Sequence, residues 1–389
     1  MNLIQRLTPL HADMTAWRHD LHAHPETAFE EVRTSAFVAE RLAAFGLEVT
    51  RGIGRTGVVG TLRAGSAART VGLRADMDAL HVPEENDFAH RSRHAGKMHA
   101  CGHDGHTAML LGAARYLAAT RAFDGTVHFI FQPAEENEGG GRAMVEDGLF
   151  ERFPCDAVYG LHNWPGLPVG QFAVMPGPMM ASFDVFEIAL AGRGTHAAMP
   201  HLGVDPVVAG SALVQALQTI PSRTVSPVDA AVVSVTQFHA GDTWNVIPAE
   251  AVLRGTTRAF RPEVQDEIEA GVRRVAAGID AAYGTTSSVR YERRYPPTVN
   301  TAPEAMLAAQ AMRSLVGDAN VHTALPPTMG AEDFAFMLQA RPGAYAWIGN
   351  GPGEGGCVLH NPRYDFNDDI LPLGAAYWVA LAEQELPRA

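Results

Sequence analysis

Residues 97–106 read KMHACGHDGH, and this stretch combines one cysteine, three histidines, one aspartate and two glycines. Thiolate, imidazole and carboxylate are the side-chain groups that bind borderline divalent metals such as zinc. Glycine lets the backbone and neighbouring side chains crowd around one point, because it has no Cβ atom. Few folds need this mixture for packing alone. The stretch therefore predicts a metal site, and we expect the rest of the chain to bring further ligands, a base and a substrate to it.

Residues of the same chemical types follow predicted strands elsewhere in the chain: Asp76, Glu135, Glu136 and His162. The strands that precede them are predicted at residues 70–73, 127–131 and 157–161. A helix is predicted at residues 106–120. This alternation of strand, charged loop and helix is typical of an open α/β sheet, where functional groups gather at the carboxyl ends of the strands. We therefore expect these side chains to meet at one edge of a sheet.

The pair Glu135-Glu136 suits two different tasks at such an edge. One carboxylate would bind metal, and the other would take a proton from a water whose pKa the metal lowers. The alternative is a solvated acidic turn. The apolar strand before the pair and the glycines at 139–141 favour the functional interpretation.

Other cysteines and histidines are weaker candidates. Cys101 lies beside Gly102 and His103, which favours a ligand role. Cys155 and Cys357 lack such neighbours and are expected to be structural. His99 and His106 qualify as ligands by spacing alone, but His106 is expected to point into the first turn of its helix. The early histidines are also expected to be structural: His19, His22 and His24.

The pattern of apolar and polar residues along the sequence changes near residues 176–178. Beyond this point, strands that alternate apolar and polar residues are mixed with helices predicted at 205–219 and 263–283. This pattern predicts an α+β domain at residues 182–295 inserted into an α/β domain made of residues 1–181 and 296–389.

Composition excludes some classes of partner. The 389 residues include 30 basic and 43 acidic ones, a net charge of −13, which argues against nucleic acid and anionic membranes as partners. Three cysteines fit a reducing compartment better than a disulfide framework. We expect a cytoplasmic protein, because neither a secretory signal nor a membrane-spanning run is evident.

A set of motifs also occurs in order along nearly the whole chain. They are RHDLHAHPE (18–26), RADMDAL (74–80), MHACGHD (98–104), QPAEE (132–136), GLH (160–162), GTHAAMP (194–200), NVIP (245–248), MGAEDF (329–334) and LHN (359–361). The set resembles the family of hippurate hydrolases, N-acyl-amino-acid amidohydrolases and auxin-conjugate hydrolases, which are di-metal amidases. The resemblance implies a mixed-sheet catalytic domain like that of di-zinc peptidases, with an inserted α+β lid domain that forms homodimers or homotetramers.

The resemblance also implies roles for individual residues. The metal ligands would be Cys101, His103, Glu136, His162 and His360. The Cys101 thiolate would bridge two divalent metals per subunit, and zinc, manganese, cobalt and nickel all remain open. Glu135 would be the general base and later the proton donor. Asp76 matches a position that orients a metal ligand in the wider superfamily, although Arg74 stands where those relatives have a metal-binding histidine.

Three residues of the inserted domain are implied to act on the substrate. His196, from the same or a neighbouring subunit, would donate a hydrogen bond to the oxyanion. Asn245 and Arg258 would hold the substrate's α-carboxylate, for which the planar guanidinium is suited. The alternatives are a solvated strand residue for Arg258 and a turn cap for Asn245.

The resulting prediction is a metal-dependent amidohydrolase that acts on N-acyl-L-amino acids. A dipeptidase or an N-acetyl-amino-acid deacetylase, for example of N-acetyldiaminopimelate, is the alternative within the same fold. A binding protein without catalysis is the alternative from another class. Glu135 and all the implied ligands are present, which argues against it.

Overall fold

The structure, a computed structural model, describes residues 1–352 and 358–388, so Cys357 lies outside the described residues. The chain divides into two compact units. Unit 1 comprises Met1–Met179, Val299–Pro326 and Asp333–Ala389, and unit 2 comprises Met180–Thr298 and Pro327–Glu332. The insertion predicted at residues 182–295 lies within the first segment of unit 2, and the short second segment had no counterpart in the prediction.

The helices are α1 (Leu3–Leu7), α2 (His11–Ala23), α3 (Val32–Ala44), α4 (His103–Thr120), α5 (Gly140–Glu146), α6 (Leu149–Arg152), α7 (Pro206–Leu217), α8 (Pro262–Tyr283), α9 (Ala302–Val316), α10 (Ala335–Ala340) and α11 (Leu371–Glu385). The strands are β1 (Glu48–Ile53), β2 (Gly57–Ala64), β3 (Thr70–Asp76), β4 (Gly125–Gln132), β5 (Ala157–Pro165), β6 (Phe172–Ala173), β7 (Gly177–Met180), β8 (Phe183–Ala191), β9 (Thr195–His196), β10 (Ala231–His239), β11 (Val246–Ile247), β12 (Glu250–Ala259), β13 (Thr286–Tyr295), β14 (Thr298–Asn300), β15 (Val321–His322) and β16 (Gly343–Gly351). No helix among the described residues combines the length and the apolar character needed to cross a bilayer.

Unit 1 is built on an eight-stranded sheet with the strand order β1-β2-β4-β3-β5-β16-β6-β15. The four central strands β4, β3, β5 and β16 run parallel to one another, whereas β2 and β6 pair with them in the antiparallel direction. The side chains of the parallel strands β3, β4 and β5 are almost entirely buried, as expected for parallel strands covered on both faces. The predicted α/β class with a mixed sheet is confirmed, and the carboxyl ends of β4, β3 and β5 lie side by side.

Helix α4 packs against this sheet, and its first four residues, 103–106, are the end of the stretch that predicted the metal site. Its side chains from His103 to Ala114 are buried. It contacts α2, α11 and β3, so that Met109, Leu110 and Leu111 contribute to the main hydrophobic core. The helix begins at His103 rather than at residue 106, and this places an expected metal ligand in its first turn.

A buried ionic network anchors α2 to the start of α4. The fully buried Arg18 guanidinium donates to Asp104 at 3.3 Å and to Asp365 at 2.8 Å. His22 lies between two carboxylates, with Nδ1 at 2.9 Å from Asp104 and Nε2 at 3.1 Å from Glu84. The early motif at residues 18–26 therefore ties an N-terminal helix to the residue that follows His103.

Unit 2 is an α+β layer with its own core. Its antiparallel sheet has the order β10-β12-β8-β13, and α7 and α8 pack against it. Apolar residues recur along one face of α8, including Val264, Ile268 and Val272, and they are buried in this core. Strands β9 and β11 form a separate short antiparallel ladder in the same unit.

Candidate active site

Backbone hydrogen bonds fix the metal-site stretch beside the end of β3. Leu80 and Met98 exchange two bonds of 3.0 Å, and the Ala79 N–H donates to the Glu26 carbonyl at 2.8 Å. Gly102 then caps α4 with φ = 95°, a left-handed conformation that favours glycine. A Cβ atom at this position would lie 2.3 Å from the Asn163 Oδ1 atom, so close packing also requires glycine here.

Cys101 belongs to two clusters of metal-binding side chains. In one cluster the donor atoms of Cys101, His103 and His162 lie within 4.8 Å of one another. In the other, the donor atoms of Cys101, Glu136 and His360 meet the same limit. The structure therefore brings together all five expected ligands, with the thiol common to both clusters. Two cations that share one ligand would need this arrangement.

His103 is held by a carboxylate that the sequence analysis did not single out. Its Nδ1 atom lies 3.2 Å from Asp78 Oδ1, and its Nε2 atom has no hydrogen-bond partner among residues 1–352 and 358–388. A buried imidazole with one nitrogen bonded to carboxylate and the other left open is typical of a metal ligand. Burial alone would lower the pKa of His103, but Asp76 and Asp78 raise it to about 10. Metal binding would therefore displace a proton.

His162 lies inside β5 and faces Cys101. Its Nδ1–H donates to the Asn163 carbonyl at 2.6 Å, which leaves Nε2 at 3.4 Å from Cys101 Sγ. Burial, followed by the nearby His106, holds the pKa of His162 well below its ordinary value. This low pKa favours the neutral ring, whose Nε2 lone pair faces the Cys101 thiol and suits a metal ligand.

His360 and Glu136 complete the second cluster with the Cys101 thiol. The backbone N–H of His360 donates to the backbone carbonyl of Ala100 at 2.7 Å, and this bond fixes the segment next to Cys101. His360 Nε2 lies 3.1 Å from Glu136 Oε1, and this contact, opposed by burial, raises the His360 pKa. His360 adopts φ = 65°, so the chain bends sharply at the ligand itself.

The donor chemistry of these clusters fits divalent metals. Thiol, imidazole and carboxylate groups converge, and burial, reinforced by Glu136 and Glu135, raises the pKa of the Cys101 thiol well above its usual range. A buried cation would reverse this preference, because a coordinating thiol is deprotonated outright. The mixed donor set does not select among zinc, manganese, cobalt and nickel.

Glu135 lies next to the ligands and is buried, with 7% of its surface exposed. Its Oε1 atom accepts a hydrogen bond from the Asp333 N–H at 3.4 Å. The preceding Ala134 has φ = 51°, and its N–H donates to Glu31. A donor atom of Glu135 lies within 4.8 Å of those of His103 and Glu136, as a base acting beside the ligands requires.

Asp76 is fully buried but is engaged elsewhere. Its Oδ1 atom lies 2.6 Å from His106 Nδ1, and its Oδ2 atom accepts from Arg74 at 2.7 Å. The His103 Nε2 atom is 3.8 Å away. Burial raises the Asp76 pKa, but His103, Arg74 and His106 outweigh it and hold this pKa well below its usual value. Its role in orienting a ligand stays a prediction, while Asp78 makes the hydrogen bond to His103.

The remaining histidines of the stretch have other surroundings. His106 contacts Asp76 through Nδ1 and Asn163 through Nε2, so both ring nitrogens are used in hydrogen bonds. His99 is buried, and neither of its ring nitrogens has a hydrogen-bond partner among the described residues. It belongs to none of the candidate clusters found there. His106 does form a further cluster with Asp76 and His103, but both of its ring nitrogens are already hydrogen-bonded, so neither histidine is added to the expected ligand set.

In unit 2, His196 is exposed on the short β9–β11 ladder. It pairs with Val246, and its Nδ1 atom accepts a hydrogen bond from the Ala198 N–H at 3.0 Å. In the neutral ring the proton must then reside on Nε2. This atom is a hydrogen-bond donor in either protonation state, as an oxyanion requires.

Asn245 and Arg258 occupy different positions in unit 2. Asn245 is exposed. Its backbone carbonyl accepts a hydrogen bond from the Ala197 backbone N–H, and this bond connects it to the turn that follows His196. Arg258 is half-buried in β12, with its guanidinium carbon 4.3 Å from the centre of the Phe183 ring. Burial lowers the pKa of Arg258, opposed by Asp184. Arg258 is therefore packed rather than simply solvated.

Comparison with known proteins places this geometry in a family. The model of peptidase family M20/M25/M40 matches residues 72–384. Hippurate hydrolase from Campylobacter jejuni is 41% identical over 382 residues, which cover 98% of this chain and 99% of that protein. N-acetylcysteine deacetylase from Bacillus subtilis is 38% identical over 375 residues, or 96% of both chains.

A solved structure agrees. The dinuclear metal-binding M20 peptidase from Bacillus subtilis has a TM-score of 0.84 and 35% identity, covering 96% of this chain and 98% of its own. The family model spans most of the chain, and the curated relatives match it over nearly their whole length. The predicted family and hydrolase class are confirmed: the chain belongs to peptidase family M20/M25/M40.

Proposed function

We propose that the protein is a metal-dependent amidohydrolase that releases free amino acids from N-acyl-L-amino acids. The observation that carries this proposal is Cys101, whose thiol is shared by two ligand clusters beside the buried Glu135. Relatives named as a hippurate hydrolase and an N-acetylcysteine deacetylase support amide bonds of acylated amino acids as the substrate class. We also propose the cytoplasm as its location, because Cys101 and Cys155 are free thiols.

Two divalent cations, when bound, would polarise the scissile carbonyl and lower the pKa of a water molecule. Glu135 then accepts the proton of the attacking water and returns it to the leaving amine. His196 donates its Nε2–H to the developing oxyanion, from the same chain or from a second copy in a dimer or tetramer formed through unit 2. Asn245 and Arg258 hold the α-carboxylate, Arg258 through its planar pair of N–H groups.

Metal removal and restoration with a substrate panel tests the proposal. The panel contains acetyl-, benzoyl- and indoleacetyl-amino acids beside simple dipeptides, each assayed for released amino acid after chelation and after addition of zinc or manganese. We expect metal-dependent release from at least one acyl class. Hydrolysis of dipeptides alone would replace the proposal with a dipeptidase, and metal binding without any turnover would overturn catalysis on this substrate class.

Cys101→Ala tests the observation on which the proposal depends. Removing the shared thiol should leave fewer than two metals per subunit, measured by elemental analysis, and abolish metal-dependent release. The buried Cys155→Ala is the matched control, because that thiol lies outside both clusters. An unchanged metal content in Cys101→Ala would show that the thiol is not a ligand.

A further inference from the structure

We propose that Asp78 is a positioning residue that orients His103 toward the metal and fixes the turn carrying Glu136. This inference rests on the proposed function only in treating His103 and Glu136 as metal ligands. It concerns a carboxylate that lies two residues beyond Asp76, just past the end of β3.

The backbone that carries Asp78 is held in place. The next residues, Ala79 and Leu80, are hydrogen-bonded to Glu26 and Met98. Met98 leads directly into the stretch with Cys101 and His103. The Asp78 side chain is 1% exposed, so its position is set by protein contacts rather than by solvent.

Both oxygens of the Asp78 carboxylate are used, and each contacts a different part of the site. Oδ1 lies 3.2 Å from His103 Nδ1, and Oδ2 accepts the Glu136 N–H at 2.9 Å. A carboxylate at Nδ1 favours the tautomer with the proton on that nitrogen, which leaves the Nε2 lone pair for a metal. The bond to Oδ2 fixes the backbone of Glu136, which lies in the turn after the neighbouring strand β4. The Asp78 side chain therefore aligns expected metal donors from two segments of the chain.

Asp76, for which the family resemblance implied a role in orienting a metal ligand, does not make this contact to His103. Its oxygens contact His106 and Arg74, and it makes no hydrogen bond to His103. The Arg74 guanidinium also donates to Gln132 at 2.8 Å, which holds it against Asp76. Asp78 is thus the carboxylate whose geometry can set the tautomer of His103.

Asp78→Asn is the sharpest test, because it keeps the shape of the side chain. Asparagine has only one acceptor oxygen, whereas the site presents two donors, His103 Nδ1–H and Glu136 N–H. One donor must therefore face an NH₂ group, which either loosens the Glu136 turn or favours the wrong tautomer of His103. We expect zinc affinity to fall about 10- to 100-fold, measured by competition with a chromophoric chelator.

Asp280→Asn is the matched control. The Asp280 carboxylate accepts bonds of 2.8 Å from the Ser287 N–H and the Thr285 hydroxyl in unit 2, and it belongs to none of the candidate metal clusters among the described residues. This variant should bind zinc like the wild type, even where its metal-free thermal stability falls as much as that of Asp78→Asn. Wild-type zinc affinity in a folded Asp78→Asn protein would overturn the proposal.

A second measurement decides the matter even where Asp78→Asn does not fold. In ¹⁵N-histidine spectra of the zinc-loaded wild type, the His103 ring, assigned by its loss in His103→Gln, should carry its proton on Nδ1. Zinc on Nδ1, or a proton on Nε2, would contradict the proposal. A wild type that binds zinc but hydrolyses no acyl-amino acid would end the proposed function, and the affinity comparison would still decide on Asp78.

Discussion

Cys101, His103 and His162 in unit 1 are buried and fixed by hydrogen bonds, whereas His196 and Asn245 in unit 2 are exposed on a two-stranded ladder. The difference follows from what each region has to bind. Proposed metal donors must converge before an ion arrives, and hydrogen bonds fix these three, whereas the side chain of the expected ligand His360 is 53% exposed. Groups that contact a substrate must remain accessible to it. The comparison predicts that variants in unit 1 change metal binding or chemistry, and that variants in unit 2 change turnover or affinity while metal content stays constant.

Glu135→Gln should give the largest effect on turnover. The amide cannot accept the proton of water, and we expect kcat to fall about 10²- to 10⁴-fold with both metals retained. The measurement is kcat together with metal content by elemental analysis. Glu138→Gln, an exposed residue of the same turn, is the control and should be near normal. Near-normal turnover in Glu135→Gln would remove it as the base.

His196→Ala should give the next largest effect on turnover. Loss of the Nε2–H donor is expected to lower kcat about 10²- to 10³-fold without changing metal content. The exposed His201→Ala in the same loop is the control. Loss of metal from His196→Ala would place this residue among the ligands and break the comparison. Activity regained on mixing His196→Ala with Glu135→Gln subunits would show that the donor acts between copies.

Arg258→Lys should have a smaller effect, mainly on substrate affinity. Lysine keeps the charge but loses the planar pair of N–H groups and the stacking on Phe183. We expect KM to rise about tenfold with little change in kcat. Arg254→Lys, on the same strand but exposed and paired with Glu187, is the control. Equal KM values in the two variants would return Arg258 to a structural role.

The smallest effect on catalysis is expected from His22, whose substitution concerns stability and its pH dependence in unit 1. Burial lowers the pKa of His22, but hydrogen bonds to Asp104 and Glu84 outweigh this and raise the pKa to about 9. Because the folded state binds the proton more tightly, this stabilisation is complete below about pH 6.5 and is lost as pH rises through 9. The free energy of unfolding should therefore fall by about 1–3 kcal/mol more between pH 7 and 9.5 in the wild type than in His22→Gln. Urea unfolding at both pH values measures these free energies. An equal fall in the wild type and in His22→Gln would contradict the prediction.

Much of the site could be predicted because residue type and strand position agree. Glu136 lies in the turn after β4, and His162 lies within β5, which continues to Pro165 beyond the strand end predicted at residue 161. Both are ligand-type residues near the carboxyl ends of parallel strands, and topology alone brings such ends together. Asp76 and Asp78 could not be separated in this way, since residues two apart on an extended segment point to the same side. The contacts of Arg74, which occupy an oxygen of Asp76, distinguish them only in three dimensions.

Some features of the fold were missed for identifiable reasons. Residues 302–316 form α9 although no element was predicted there, despite Thr301 before the helix and Gly317 after it. Helix α3 begins at Val32, and the Glu26 carboxylate accepts hydrogen bonds from the Arg33 and Thr34 backbone N–H groups. This cap comes from a residue outside the helix, so local sequence patterns do not reveal it.

The hydrogen bond from His360 to Ala100 has a consequence for how the protein matures in the cell. A ribosome makes Cys101 long before His360, so the second ligand cluster cannot close until His360 has been made. Domains tend to form as they emerge, from the N-terminus onward. Here the proposed metal centre can be completed only after residue 360 has been made, and products that end before it would lack one of the expected ligands.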